Sequence, residues 1–197
     1  MTTLDAASAS TTHTPVPLPT RMARAIEESA AADRLSALLA PFAGPVGATA
    51  LGDLLRDRLV GHALHPALTD VPIAAWTAST VIDVRGRRAE RRAATAFEAL
   101  GLLAAVPTAL TGLAEWSRTA GADRRVGSAH AAVNTLALGL HAASWAARRS
   151  GRHGLGVTTG LLGNAVVGVS AFLGGHLTTV RKVGSSVVPP PPTADPR

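Results

Sequence analysis

The 197-residue sequence is 47% apolar, carries a formal net charge of +6 and contains no cysteine. An apolar fraction this high suggests that part of the chain lies in lipid. The lack of cysteine excludes disulfides, zinc-thiolate sites, cysteine nucleophiles and cysteine-ligated iron-sulfur clusters, so histidines and carboxylates must hold any metal.

The basic residues fall in short clusters between apolar runs, and one cluster contains Arg148, Arg149 and Arg152. They do not form one face interleaved with aromatic residues, as a nucleic-acid surface does. Clusters of this kind are typical of loops that meet lipid head groups. The pattern therefore predicts a lipid bilayer as the partner and excludes nucleic acid.

The first 50 residues predict an N-terminal extension. Residues 1–20 are rich in Ser, Thr and Pro and lack the basic start and apolar core of a signal peptide, which predicts a disordered tail. Residues 21–40 could form a short surface helix that ends at Pro41.

Leucines at helical spacing in residues 51–59 indicate an amphipathic helix in the membrane interface or packed on the protein.

Four apolar runs of spanning length follow, over residues 66–84, 93–116, 127–147 and 155–180. Short polar loops separate them. They predict an all-α fold, an integral membrane four-helix up-and-down bundle over residues 51–183, with a flexible N-terminal extension. Both termini would lie on one side of the plasma membrane, and residues 184–197 would form a Pro-rich disordered tail.

Small residues recur on the second and fourth predicted helices. They are Gly101, Ala105, Gly112, Gly156, Gly160 and Gly168. In membrane bundles, such residues let helix backbones approach closely. The sequence therefore predicts close helix packing at these positions.

Six polar residues fall at one end of the predicted bundle, which we call the histidine end. They open helices one and three or close helices two and four: His62, His65, Asp70, Glu115, His130 and His176. Ionisable groups at membrane depth are costly unless they face the interior and find partners, so their coincidence predicts a shared cofactor-binding site. Taken singly, Asp70 also suits the helix dipole, and Glu115 beside Trp116 also suits an interfacial anchor.

Three kinds of site agree with these side chains. Neutral imidazoles could bind a transition metal, with His65, His130 and His176 as ligands and carboxylates in support. Two facing histidines could ligate a haem b between helices. A metal-free pocket could exchange protons or bind a quinone. The spacing does not choose between them, and no recognisable catalytic motif indicates an enzyme.

A smaller polar set lies toward the opposite end of the predicted bundle: Asp83, Glu98 and His141. His141 shares a helix face with His130, which permits a second site or a polar track across the bundle. A single structural hydrogen bond between His and Glu accounts for these residues equally well.

Four ordered motifs resemble one bacterial family. They are GHALHP at 61–66 with TDVPIAAW at 69–76, TGLAEW at 111–116, HAAVNT at 130–135 and GGHL at 174–177. Together they resemble the four-helix membrane family catalogued as domain of unknown function 2231. Members of that family occur alone or fused to a Rieske-type iron-sulfur domain, which implies electron transfer. Ala63 stands where the family often has Pro, and without cysteine this chain would need a separate Rieske-type partner or a bound cofactor.

These observations favour a cofactor- or metal-binding module of a redox system in the bacterial plasma membrane. The alternative is a structural or assembly subunit whose buried polar groups only specify helix packing. An enzyme or a proton-coupled transporter is the third hypothesis.

Overall fold

The computed structural model describes residues 16–47, 49–53 and 63–184, and over these residues the chain is all-helical. The helices are α1 Leu18–Glu27, α2 Ala30–Gly47, α3 Ala50–Asp53, α4 His65–Arg85, α5 Arg91–Trp116, α6 Gly121–Arg149 and α7 His153–Gly175. A 3-10 turn, Arg88–Glu90, precedes α5, and a π-helical turn, His176–Val180, continues α7. The predicted all-α class is confirmed, and each predicted apolar run lies within one of these helical segments.

Glycines in the left-handed region shape the connections between the long helices. Gly86 ends α4 at φ +69, Gly121 begins α6 at φ +54, and Gly151 lies between α6 and α7 at φ +78. Only glycine adopts these angles without a steric penalty, so the chain turns sharply there. The short connections bring successive helices back alongside one another.

Helix α4 packs against α5 and α7, and α6 packs against the same two helices. At the histidine end, His65 of α4 contacts Thr108 late in α5, and His130 of α6 contacts Ser170 late in α7. At the opposite end, Asp83 late in α4 contacts Arg148 late in α6. We call this opposite end the charged end. These contacts place the starts of α4 and α6 beside later turns of α5 and α7, and the up-and-down membrane bundle stays a prediction.

The space between α4, α5, α6 and α7 is lined by small and polar side chains. Buried polar residues include Ser79, Glu98, Thr108, Thr111, His141, Ser144 and Ser170. The outer surface exposes large apolar side chains instead, among them Val81, Leu103, Val106, Leu136, Leu162 and Val169. This distribution is the reverse of that in a water-soluble helical protein, whose apolar stripe faces the core.

By length and composition, two of the described helical segments could cross a membrane: Arg88–Trp116 and His153–Val180. Only 22% of each apolar stretch is buried within the protein, so most of it faces outward. Helices α4 and α6 are not apolar enough by the same measure, because charged and polar residues occupy more of their length. Their membrane crossing stays a prediction.

Helices α1 and α2 form an arm that packs against α5 and α6 at the histidine end. The segment predicted as one surface helix ending at Pro41 is two helices, because the chain breaks at Glu28 and Ser29 and α2 continues through Pro41 to Gly47. Arg125 of α6 binds Asp33 of α2 through two hydrogen bonds of 2.7 and 3.0 Å. Most of the predicted amphipathic helix at 51–59 lies outside the described residues, as do residues 1–15 and 185–197 of the tails predicted over 1–20 and 184–197. The end of the first tail is corrected, because residues 18–20 form the first turn of α1, which Pro19 can begin.

Candidate functional site

His65, the first residue of α4, lies against the end of α5. Its Nδ1 is 2.9 Å from the carbonyl oxygen of Thr108 and 3.4 Å from the hydroxyl oxygen of Thr111. A carbonyl oxygen only accepts, so Nδ1 carries the proton and Nε2 the lone pair of the neutral ring. Gly112 makes room for the ring, since a Cβ at this position would lie 2.8 Å from His65 Cε1.

His130 of α6 is held by contacts that specify the same tautomer. Its Nδ1 lies 3.0 Å from both the carbonyl and the hydroxyl oxygen of Ser170. The Ser170 hydroxyl donates to Asn134 Oδ1 at 2.7 Å, which leaves the amide nitrogen of Asn134 to donate to His130 Nε2 at 3.0 Å. His130 is therefore a neutral, Nδ1-protonated imidazole in this network.

The structure brings these two predicted site residues together. The His65 and His130 ring centroids are 6.1 Å apart, and the rings stand at 88° to each other. Each Nδ1 is bound to a helix carbonyl. This is the arrangement in which a protein fixes an imidazole so that Nε2 can act as a ligand.

The other predicted members of the set have different surroundings. His176 at the end of α7 binds Glu27 of α1, with 2.8 Å between Nε2 and Oε1. Glu115 is half-buried, and its Oε1 has no hydrogen-bond partner among the described residues. Asp70 is exposed on α4 and lines a shallow apolar depression with Ile73. His62 lies outside the described residues.

Of the described members, His65 and His130 face each other, and the Glu115 carboxylate interacts with the backbone N–H of His65, whereas His176 is bound to Glu27. No group of three or more His, Asp or Glu side chains in the described part of the chain is arranged to hold a metal ion. The third predicted metal ligand, His176, has its Nε2 at hydrogen-bond distance from Glu27. The roles assigned to His62, Asp70, Glu115 and His176 stay predictions.

Four ionisable side chains meet at the charged end, and their side chains are at most 5% exposed. They are Asp83 of α4, Glu98 of α5 and both His141 and Arg148 of α6. Arg148 donates to the two Asp83 oxygens at 3.0 and 2.6 Å, and its Nη2 lies 3.6 Å from Glu98 Oε1. This bidentate geometry is the strongest form of the arginine-carboxylate contact.

His141 joins this network through Glu98. Its Nδ1 lies 2.9 Å from Glu98 Oε2, and Ser79 donates to the other carboxylate oxygen at 3.1 Å. The imidazole stacks flat on Trp76, with 3.9 Å between centroids and 2° between the planes. Its Nε2 is buried and has no hydrogen-bond partner among the residues that the structure describes.

Glycines on the neighbouring helices make room for these large side chains. A Cβ on Gly163 would lie 2.7 Å from His141 Nε2, and one on Gly156 would lie 2.5 Å from Arg148 Cγ. Gly101 admits the Trp76 indole in the same way, since a Cβ there would collide with it. Of the positions predicted for close helix packing, Gly101, Gly112, Gly156 and Gly160 make room for side chains, whereas no atom lies within 4 Å of the Cβ position of Gly168.

Sequence reasoning missed two members of these networks. Arg148 had been assigned with its neighbours to a head-group loop, and this assignment is corrected, because its side chain is 1% exposed and bound to Asp83. Helical spacing contains the missing signal: Arg148 follows His141 and Ser144 on one helix face. Glu27 belongs to the arm, and no local pattern pairs it with His176.

A family model described as "Predicted membrane protein (DUF2231)" matches residues 61–187, well over half of the chain. The chain belongs to this family. The predicted resemblance is confirmed, and both the histidine pair and the charged end lie within the matched residues of this DUF2231 protein. No curated protein and no solved structure matches it. The arm helices lie before the matched region.

Proposed function

We propose that this DUF2231 protein is a multi-pass protein of the bacterial plasma membrane, in which α4, α5, α6 and α7 form an up-and-down bundle that crosses the bilayer four times. The supporting observation is the reversed polarity: serines, threonines and ionisable groups are buried between the helices, and leucines and valines are exposed outside. A bilayer favours this arrangement, because lipid solvates apolar side chains and leaves polar groups to pair internally.

The lengths of the two more polar helices agree with this proposal. Helix α4 has 21 residues and α6 has 29, which correspond to about 31 and 43 Å at a rise of 1.5 Å per residue. Both exceed the hydrocarbon thickness of roughly 30 Å. Much of the polarity that lowers the hydropathy of α6 lies on its buried face, where His141, Ser144 and Arg148 point away from lipid.

Single-cysteine labelling tests whether α6 crosses the bilayer as α5 does, and the cysteine-free sequence provides the background. Cysteines replace Arg87, Ala120 and Arg152, one in each connection after α4, α5 and α6. An impermeant maleimide is applied to intact spheroplasts and to inverted vesicles. Four crossings place Arg87→Cys and Arg152→Cys on one side and Ala120→Cys on the other. If only α5 and α7 cross, Arg152→Cys shares the side of Ala120→Cys, and the proposal fails.

We further propose that the histidine end is a cofactor- or metal-binding site of a redox system, with His65 and His130 as ligands. Both rings present the same neutral tautomer, with Nδ1 bound to a carbonyl. Neutral imidazoles of this kind suit transition-metal ions. Asn134, which occupies His130 Nε2, is exposed, and a metal that binds there would displace it from His130 and from the Ser170 hydroxyl.

A haem does not fit this pair as it stands. Gly112 and Gly174 bring α5 and α7 against the Cε1 atoms of the two imidazoles, next to the Nε2 atoms that would face a haem iron, so the two helices occupy the space that a macrocycle needs. The donor set therefore favours a single ion, with His62, Glu115 and His176 as candidates for the remaining positions.

Metal analysis and an absorption spectrum of the detergent-purified protein test this site. We expect about one transition-metal ion per chain, lost in His65→Ala and His130→Ala and retained in His153→Ala, whose histidine lies at the charged end. A wild-type protein that binds no metal at micromolar supply and shows no haem band would exclude the cofactor role. That result would also remove the argument for a separate Rieske-type redox protein as a partner.

The second candidate function is a structural or assembly subunit, and one observation favours it. The protein itself supplies partners for His130 and His176 through Ser170, Asn134 and Glu27. Fully bonded buried histidines can simply specify how helices pack. The two candidates differ in one measurement, because only the cofactor role requires metal content to follow His65 and His130.

A further inference from the structure

We propose that His141 and Glu98 form a proton-binding site at the charged end, which takes up and releases one proton in exchange with water at the neighbouring loops. The site contains neither His65 nor His130 and goes beyond the role proposed for the histidine end. Four observations support it: the net charge of the buried groups, the unpartnered Nε2 atom, the stacked indole and a titratable neighbour near the surface.

The charge balance is the first step. Asp83 and Glu98 contribute two negative charges, and Arg148 contributes one positive charge that it does not lose. With a neutral His141 the four buried groups carry a net charge of −1, and with an imidazolium they carry none. A net charge in a low-dielectric interior is costly, so the second proton compensates the cluster.

The imidazole is placed to accept this proton. In the one-proton state, Nδ1–H donates to Glu98 Oε2, and the Nε2 lone pair is buried without a partner among the described residues. The incoming proton binds Nε2 and gives an imidazolium that keeps its contact with the Glu98 carboxylate. On release, Nε2 returns the proton to water, and no other bond changes.

The Trp76 ring stabilises the proton-loaded form. A cation over an aromatic face gains electrostatic attraction, and the His141 ring lies parallel to the indole at 3.9 Å. Gly101 and Gly163 allow both rings into the helix interface, because a side chain at either position would displace them. The packing of α5 and α7 at these two glycines therefore holds the stacked rings in place.

His153 connects the cluster to the protein surface at the charged end. His153, at the first residue of α7, has a side chain that is 20% exposed, and its Nε2 lies 3.6 Å from Asp83 Oδ1. Each of the four long helices contributes a charged or titratable group near His141: Asp83 from α4, Glu98 from α5, Arg148 from α6 and His153 from α7. Arg91 acts on His153 from a distance. Proton exchange is therefore expected from the charged end.

Nitrogen-15 NMR of histidine-labelled protein in nanodiscs tests this inference, from about pH 5 to about pH 9. The His141 signals are assigned through His141→Gln or, if this variant does not accumulate, through backbone correlations. We expect the two ring nitrogens to change from the imidazolium to the neutral pattern within this range. Signals that keep one protonation state throughout would overturn the proposal in the wild-type protein itself.

A charge variant adds an independent readout. Asp83→Asn removes one facing negative charge, so we expect the variant to differ from the wild type in the pH at which the His141 ring nitrogens change pattern. Glu90→Gln is the matched control, because Glu90 is a carboxylate near the same end that pairs with the exposed Arg87. A folded Asp83→Asn protein whose midpoint equals that of the control would contradict the proposal. We expect metal content to be unchanged in both variants, so this test is separate from that of the histidine end.

Discussion

The histidine end and the charged end bury their polar groups in different ways. At the histidine end, His65 and His130 bind backbone carbonyls, and the rings are half-buried. At the charged end, side chains bind one another, and Asp83, Glu98, His141 and Arg148 are nearly inaccessible. The first arrangement contains no fixed charge, whereas the second depends on opposite charges in contact.

This difference predicts which end tolerates change. Removing one partner of a buried ion pair leaves an uncompensated charge in a low-dielectric interior. Removing an imidazole from a carbonyl leaves only a weakened hydrogen bond and some space. A site that exchanges ligands needs surroundings like those of the histidine end. A fold that must stay closed needs buried ion pairs like those of the charged end.

Arg148→Met should have the largest effect and would establish the charged end as the more fragile one. It leaves Asp83 and Glu98 without their shared cation, at a cost of about 3–5 kcal/mol. We expect the protein to disappear from the membrane fraction or to melt far below wild type in detergent. Arg149→Met is the control, because Arg149 is the adjacent, exposed arginine. Equal melting of the two variants would show that the buried network contributes little.

Gly163→Ala should have the next largest effect, because the new methyl group meets His141 Nε2 at 2.7 Å. Overpacking of this kind costs about 1–3 kcal/mol. Gly168→Ala, on the same helix, is the control, since no atom lies within 4 Å of its Cβ position. Thermal denaturation in detergent measures both. An alanine at 163 that is as harmless as one at 168 would mean that the helices separate easily there.

His130→Gln should have a smaller effect and tests the tolerance of the histidine end. It removes a neutral ring from Ser170 and Asn134, so we expect a loss of about 1 kcal/mol, well below that of Arg148→Met. The same detergent melting curves provide the comparison. A loss as large as that of Arg148→Met would contradict the contrast between the ends and favour a structural role for both.

The smallest expected effect concerns pH and the arm. Two hydrogen bonds from Arg125 hold the pKa of Asp33 below its ordinary value. A lowered pKa in the folded state stabilises the protein above the unfolded pKa of about 4, and this contribution is lost as the pH falls through the folded value. Pepsin should therefore cut the arm faster only in this acidic range.

Asp33→Asn serves as the control for the arm experiment. It removes the ion pair at every pH, so cleavage at the arm should lose the part of its pH dependence that Asp33 causes. The change is expected to be small, since exposed ion pairs contribute little. A variant that keeps the full wild-type pH profile would assign the dependence to another group.

The sequence predicts the long helices well, because each of α4 to α7 coincides with an apolar run bounded by charged or glycine-containing loops. It predicts the pairing of His65 with His130 only as part of a larger set, since which of six polar residues meet depends on helix rotation and on the arm. Arg148 shows a different limit: composition assigned it to a loop, and only its helical register with His141 places it inside. The sequence gives no local signal for the arm contacts, which join Asp33 to Arg125 across 92 positions.

The arm changes what counts as one folding unit in this protein. The family match begins at residue 61, yet Glu27 and Ser36, which lie before it, supply partners to His176 and Ser128 inside it. A fragment cut at the family boundary would lose the acceptor of a buried imidazole and uncover the start of α6. The unit that folds cooperatively therefore begins earlier in the chain than the region that the family model matches. Fragments for biochemical work should begin before α1.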